Sequence, residues 1–271
     1  MTKCPKKRRL DLHLLTKGFA STRQKAQNLI RAGKVRDING KLLDKPGQDV
    51  SVDLELKVAA TPRFVSRGGE KLLAALNAFP LEIEGKVCLD GGISTGGFTD
   101  CLLQHGAIRV YGVDVGYGQT AWTIRQDSRV VLKERTNLRT LTSEKLFSPC
   151  DPLPSIAVAD LSFISLRLVL PSLIALLDQE KPEAILLVKP QFEVGRERVG
   201  KGGIVREVSA HIEALESVVE SVFSNHFVPK GLIASPITGA AGNQEYLLWL
   251  GLNGSQNFPS IESVVRNSLL N

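Results

Sequence analysis

Residues 86–100, KVCLDGGISTGGFTD, constrain this chain more than any other stretch. A short apolar run, Val87-Cys88-Leu89, ends in Asp90, Gly91 and Gly92, passes through Ser94 and Thr95 to Gly96 and Gly97, and enters the amphipathic run FTDCLLQHG that begins at Phe98. The pattern is strand, glycine turn, helix. Glycine is needed where the backbone takes angles closed to other residues and comes close to a ligand. The helix beyond offers unpaired N–H groups and the positive end of its dipole. Such a turn holds a phosphate, a dinucleotide or another adenosine-bearing ligand, or is only a tight connection.

Downstream, apolar runs alternate with helical stretches. Residues 109–114, 130–132, 155–160 and 184–189 read as strands, the last two as continuous β-rich runs suited to a sheet buried on both faces. Helices are expected near 98–105, 118–127, 165–178 and 207–225, and another begins at Glu70. That alternation predicts a doubly wound, Rossmann-like α/β sheet. FVPKGLIASPITG and EYLLWLGLN follow each other with no helix between them, which predicts an antiparallel edge.

Charge divides the chain differently. Residues 1–60 hold 14 Lys+Arg against 6 Asp+Glu, a net +8, whereas the remaining residues hold 20 against 22, a net −2. A basic segment on a nearly neutral body points to a nucleic-acid-binding module, here 1–60, joined by a linker at 61–69, with Pro62 and Gly68-Gly69, to a second domain at 70–271. In the basic segment, Leu10, Leu12 and Leu15 predict a short helix ended by Gly18, and Ser21 is the expected N-cap of a second helix running to Gly33. Asn39-Gly40 signals a hairpin between 35–38 and 42–43. Two helices and a hairpin, with S-T-R-x-x-A-x-x-L-I-x-x-G-x-V, resemble the S4 RNA-binding domain. That resemblance gives Arg8, Arg9, Arg23, Lys25, Arg31, Lys34 and Arg36 the task of neutralising RNA phosphates. Four cysteines, Cys4, Cys88, Cys101 and Cys150, form no C-x-x-C pair and no metal-ligand pattern, and no signal peptide or run of about 18 apolar residues is present. A cytoplasmic protein with free thiols and no membrane span is expected.

In doubly wound sheets the ligand lies beyond the C-terminal strand ends, here marked by Asp90, Asp114, Asp160 and Lys189. Asp114 follows Gly92 by 22 residues, the spacing of an acid that binds ribose hydroxyls. Gly96 is followed by Gly97-Phe98 instead of Lys-Ser or Lys-Thr, which disfavours a P-loop, and Ser94 stands where a dinucleotide fingerprint wants glycine. That leaves S-adenosylmethionine, with Asp90, Gly91, Gly92, Ser94, Thr95, Gly96, Gly97, Phe98, Asp114, Val115, Asn137 and Asp160 as candidate contacts. Trp122 is a further candidate to flank adenine.

Six motifs then carry a resemblance across nearly the whole chain: S-R-G-G-E-K-L at 66–72, S-T-G-G-F-T-D at 94–100, V-D-V-G-Y-G-Q at 113–119, A-D-L-S-F-I-S at 159–165, V-K-P-Q-F-E at 188–193 and N-Q-E-Y at 243–246. The chain resembles the TlyA-type, hemolysin A-like ribosomal RNA 2′-O-methyltransferases, which join an S4 domain to an FtsJ/RrmJ-like class I methyltransferase domain. The resemblance implies a catalytic Lys-Asp-Lys-Glu tetrad at Lys71, Asp160, Lys189 and Glu245, and ribosomal RNA or ribosomal subunits as partners. A ribose hydroxyl is a weak acid, so methyl transfer gains from a base that removes its proton. Lys189 is the expected base, with Lys71 as the second cation that favours a neutral amine and Asp160 and Glu245 as orienting groups. Lys71 stands in the first turn of its helix, where a cation opposes the dipole, which points to a task other than helix stability. Arg67, and Arg196, Arg198 and Lys201 in the glycine-rich stretch VGRERVGKGGIVR, which reads as a mobile loop, complete the expected RNA contacts. Two other functions compete: a membrane-active cytolysin, disfavoured by the lack of an apolar span or clean amphipathic helix, and a non-catalytic RNA-binding protein, disfavoured by the complete tetrad.

Overall fold

In a computed structural model that describes residues 6–59, 62–253 and 258–270, the chain divides into two units, Met1–Pro62 and Arg63–Asn271. Cys4 and Thr61 lie outside the described residues. In the first unit, β1 (Lys7–Arg9) runs into α1 (Leu10–Thr16), Gly18 turns the chain at φ +79°, and α2 (Arg23–Arg31) follows. The cap of α2 is Thr22, one residue beyond the expected Ser21; its hydroxyl accepts the Lys25 N–H at 3.2 Å. Three short strands complete the unit, β2 (Val35–Asp37), β3 (Asp49–Ser51) and β4 (Leu56–Val58), with β1 antiparallel to β3 and β2 to β4. The hairpin expected at Asn39-Gly40 shrinks to a tight turn with a single bridge, Arg36 to Leu42. The Asp37 carboxylate accepts the N–H groups of Asn39 and Lys41 at 2.9 Å and tightens the turn, while the other edge of β2 pairs with β4. Leu10, Leu14, Ala26, Ile30 and Val35 form the buried core of this unit.

The second unit opens with α3 (Gly68–Ala78), so that Gly68 and Gly69 form its first turn. There follow β5 (Val87–Gly91), α4 (Gly97–Gln104), β6 (Arg109–Val113), α5 (Trp122–Arg125), β7 (Val130–Lys133), α6 (Ser143–Leu146), β8 (Ile156–Ala159), α7 (Leu170–Ala175), β9 (Glu183–Val188), α8 (Pro190–Glu193), α9 (Val208–Ser224), β10 (Val228–Ala234), β11 (Tyr246–Gly251) and α10 (Ile261–Leu269). The strands lie in the order β10-β11-β9-β8-β5-β6-β7. From β9 to β7 they are parallel, and β11 runs antiparallel to both β9 and β10. The expected doubly wound sheet with an antiparallel edge is the one observed. Among the described residues no helix is long and apolar enough to cross a membrane.

The two-residue period of a strand sorts side chains onto two cores. Leu89, Tyr111, Ala157, Leu186 and Leu248 pack beneath α7, α9 and α10, whereas Cys88, Val110, Val158, Ile185 and Leu247 pack beneath α3 and α4. On α9, Ala210, Ala214, Leu215, Val218 and Val222 supply the apolar stripe that one face of a helix needs. The expected helix at 118–127 is cut to the four residues of α5, and the one at 165–178 is broken into a 3₁₀ turn at Leu166–Leu168 and α7.

The starts of α3 and α4 cross with almost no separation. A Cβ at Gly97 would collide with Ser66 Oγ and lie 2.9 Å from the Gly69 nitrogen, so glycine at 97 is what lets the helix bearing Lys71 reach the glycine turn after β5. Gly97→Ala should lower stability by about 1–3 kcal/mol, or about 2–4 °C in Tm for each kcal/mol. Differential scanning calorimetry would show it. Adding Ser66→Gly should restore only part, because the Gly69 backbone remains in the way.

Candidate active site

The strand order reverses between β5 and β8, and the crevice outside their C-terminal ends holds two adjoining cavities. The larger, of about 810 Å³, is walled by Lys71, Thr95, Gly97, Phe98, Lys189 and Glu245; the smaller, of about 530 Å³, by Asp114, Val115, Gln119, Asn137 and Leu138. Gly92, Ser94, Asp160, Ser162 and Phe163 line both. Close backbone approach builds the shared wall, since a Cβ at Gly92 (φ +84°) would stand 2.7 Å from the Asp160 carbonyl oxygen. Ser94 also takes a left-handed backbone, at φ +47°, and gives its N–H to Asp114 Oδ2 at 2.7 Å, while Gly116 N–H reaches Asp114 Oδ1 at 2.6 Å. That carboxylate is thereby fixed at the end of β6.

The four tetrad positions come together as two ion pairs on the wall of the larger cavity. Lys71 Nζ pairs with Glu245 Oε2 across 174 residues of sequence, both groups buried. Lys189 Nζ lies 2.6 Å from Asp160 Oδ1 and donates to Ser162 Oγ at 2.9 Å. Gly239 makes room for Glu245, because a Cβ there would lie 2.5 Å from Glu245 Oε1.

Other expected residues fall elsewhere. Asp90, Gly91 and Gly96 line neither cavity. Gly91 packs against Leu138, and Gly96 (φ +94°) against Ile124. Asp90 is wholly buried beneath the turn, where Thr99 Oγ1 donates to its Oδ2 at 2.6 Å, and its Oδ1 has no hydrogen-bond partner among the described residues. Trp122 also lines neither cavity and stands 71% exposed at the start of α5. Asn137 faces the smaller cavity while its Oδ1 accepts the Arg139 N–H at 3.0 Å.

Of the expected RNA contacts, Arg67 lines the larger cavity and Arg196 and Lys201 are exposed. Arg198 is tied to Glu207, Glu213 and Ser209 around α9. In the first unit Arg9 and Arg23 share the buried Asp11 carboxylate, yet each side chain stays about half exposed (44% and 51%). Arg8 donates to Thr16, Lys25 to Ser21 and Arg36 to the Gly40 carbonyl; Arg31 is exposed, and Lys34 is half-buried beside a third cavity that also includes Phe19 and Lys25.

Sequence reading missed Phe163. It is 91% exposed, holds a left-handed backbone at φ +64°, and lies against Phe192 with ring centroids 5.3 Å apart, where both cavities open. An exposed aromatic on a strained backbone marks a functional position. Its sequence signal is only its place in A-D-L-S-F-I-S, three residues beyond Asp160.

The cradle fits S-adenosylmethionine. Gly92 lets the turn close onto the Asp160 backbone, Asp114 lines the smaller cavity at the end of β6 where an acid binds ribose hydroxyls, and Asp160 adjoins both compartments. Beneath it, burial pushes the Asp90 carboxyl up to about 7, against the opposing Thr99 bond and with help from the like charge of Asp160. A carboxyl raised above its unfolded value of about 3.9 binds more protons in the folded chain, so its contribution weakens as pH rises from about 4 to about 7. Asp90→Asn should flatten that loss by at least about 1 kcal/mol, or about 2–4 °C in Tm, when melting temperatures of both proteins are followed across the window.

Comparison with known proteins agrees with this geometry. A family model for FtsJ-like methyltransferases matches residues 64–252, and one for the S4 domain matches 8–56. The 16S/23S rRNA (cytidine-2′-O)-methyltransferase TlyA of Mycobacterium tuberculosis is 46% identical over 244 residues, covering 89% of each chain. Hemolysin A of Brachyspira hyodysenteriae is 39% identical over 88% of this chain and 98% of its own. A solved structure from Streptococcus thermophilus, provisionally named a hemolysin, superposes with a TM-score of 0.72 at 43% identity, covering 97% of this chain and 96% of that one. The chain belongs to the FtsJ-like methyltransferase family, with an S4 domain preceding the enzyme domain, and is a homologue of TlyA and hemolysin A.

Proposed function

We propose that this chain methylates a ribose 2′-hydroxyl of ribosomal RNA, free or within a ribosomal subunit, and that Lys189 removes the hydroxyl proton. One observation carries the reading: two ion pairs, the buried Lys71–Glu245 and the partly exposed Lys189–Asp160, wall a cavity that meets the cofactor-sized one at Asp160. When bound, S-adenosylmethionine would be held by Gly92, Ser94, Asp114 and Asp160 and would supply an electrophilic methyl on its sulfonium. Lys189, held by Ser162 and Asp160, then faces the cavity with an amine able to accept the hydroxyl proton. Lys71 lines the same cavity, and Glu245 holds it in place. The rate gain comes from holding base, hydroxyl and donor in line.

Substrate capture follows the same logic. The exposed face of Phe163, backed by Phe192, offers a stacking platform for the base of the target nucleotide. Arg67 at the cavity and the cations of the basic N-terminal unit meet phosphates without reading sequence. Ribosomal RNA as substrate places the work of the protein in the cytoplasm.

Lys189→Ala should lower kcat for ribose methylation by roughly 10²–10⁴-fold while leaving calorimetric binding of S-adenosylmethionine within about twofold. Near-wild-type methylation would remove Lys189 from the role of base. Phe163→Ala should weaken RNA binding by about 1–3 kcal/mol, roughly 5–150-fold in KM for RNA, with cofactor binding unchanged; an unaltered KM would discard the stacking platform. Mapping of 2′-O-methyl groups across ribosomal RNA with and without the protein tests the reaction itself.

A further inference from the structure

We infer that Asn243 is a positioning residue for the Lys71–Glu245 pair, acting by sewing the loop at 199–205 to the turn that delivers Glu245. The inference rests on the methyltransferase reading above and adds a residue to its machinery. Asn243 is 2% exposed and uses its whole amide on a segment about 40 residues away. Its Oδ1 accepts the Val205 N–H at 2.9 Å, and its Nδ2 donates to the Gly203 carbonyl at 2.7 Å. One partner is a donor and the other an acceptor, so only one orientation of the amide satisfies both. The Asn243 carbonyl in turn accepts the Gly239 N–H at 2.8 Å, closing the turn in which Gly239 abuts Glu245 Oε1.

The circuit closes from the other side. The Val205 carbonyl is held by His211 Nε2 at 3.0 Å, and His211 Nδ1 meets the Tyr246 hydroxyl at 3.0 Å; Tyr246 is the residue after Glu245. Both backbone groups of Val205 are thus tied to residues flanking Glu245, one directly and one through a buried histidine. The loop is also closed on itself, with Gly200 N–H on the Ile204 carbonyl and Gly203 N–H on the Gly200 carbonyl, each at 3.0 Å. Val199, Gly203, Gly239 and Asn243 all face the larger cavity. Its far wall is therefore one stitched unit, and the glycine-rich stretch expected to move freely is anchored at 203–205.

A purely structural asparagine and a positioning one differ in how their loss combines with loss of Glu245. With tritiated-methyl S-adenosylmethionine and ribosomal subunits from cells lacking this protein, Asn243→Ala should lower kcat roughly tenfold or more, keep calorimetric cofactor binding within about twofold, and open Lys201 and Arg206 to trypsin. In a Glu245→Gln background the same change should cost little further kcat, because the group it positions is already gone. Multiplicative losses, or wild-type kcat with the loop still protected, would overturn the inference. Should Asn243→Ala melt before assay, Gly239→Ala displaces Glu245 without touching the loop: it should reproduce the kcat loss with wild-type trypsin resistance, and normal kcat would overturn the inference. If the wild-type protein transfers no methyl to the subunits, the methyltransferase reading fails, and loop protection in wild type against Asn243→Ala still decides whether the stitch exists.

Discussion

A side chain at position 92 would place its Cβ 2.7 Å from the backbone oxygen of Asp160, and the site depends on the absence of that side chain. The contact brings the turn after β5 against the segment after β8, the two neighbouring strands at which the order of the sheet reverses. Because the two backbones touch there, Asp160 belongs to both cavities. Ser94 and Phe163, the residues whose backbones take left-handed angles at the same place, are set by the geometry of that contact. The two apolar cores below supply the rigidity that holds the contact.

Charge is arranged on the same principle. Burying an ion pair costs solvation that Coulomb attraction offsets only when the geometry is good, so Lys71–Glu245 is a poor device for stability alone, and Lys189–Asp160, with its carboxylate partly exposed, is a weak one. Their place on a cavity wall gives them a different meaning. Two other buried carboxylates show how far the surroundings decide. Asp11 bonds Arg9, Arg23 and Gln27, and the Arg9 guanidinium above all holds its carboxyl well below the usual range. Asp90 has one hydroxyl partner, and burial pushes it the other way. The first organises two exposed arginines, whereas the second accepts the Thr99 hydroxyl and ties β5 to α4.

What could be read from the chain alone follows from how local each cause is. Strands β8 and β9 were legible because a sheet covered on both faces demands unbroken apolar runs, and the glycine turn was legible because its conformational requirement falls on adjacent residues. The Asn39-Gly40 hairpin was legible but its length was not: Val35–Asp37 pairs across the turn through one bridge to Leu42, and the longer ladder, to a strand about twenty residues later, forms on the other edge of β2. Trp122 lost its expected place because α5 is only four residues long and leaves the ring in solvent. The tetrad became visible only through family resemblance: no periodicity connects Lys71 with a carboxylate 174 residues on. The tie from Asn243 to the backbone of the 199–205 loop had no sequence signal at all, since an asparagine's partners are fixed by tertiary packing.

The antiparallel edge explains how those 174 residues are spanned. Asp160 and Lys189 each follow the last residue of a parallel strand, β8 and β9, and so lie at the C-terminal margin of the sheet. Glu245 instead precedes its strand. Since β11 runs against β9, with Tyr246 opposite Val188 and Gly251 opposite Glu183, the residue before β11 arrives at the margin where Lys189 stands. Had β11 been parallel, Glu245 would sit at the opposite margin, about 20 Å away for a strand of this length, and Lys71 would have no carboxylate. The reversal is therefore a condition of the second ion pair. It also accounts for β10, which ends with Ala234 opposite Tyr246 and so carries the chain along the outer edge to the site margin, where the turn before β11 presents Glu245.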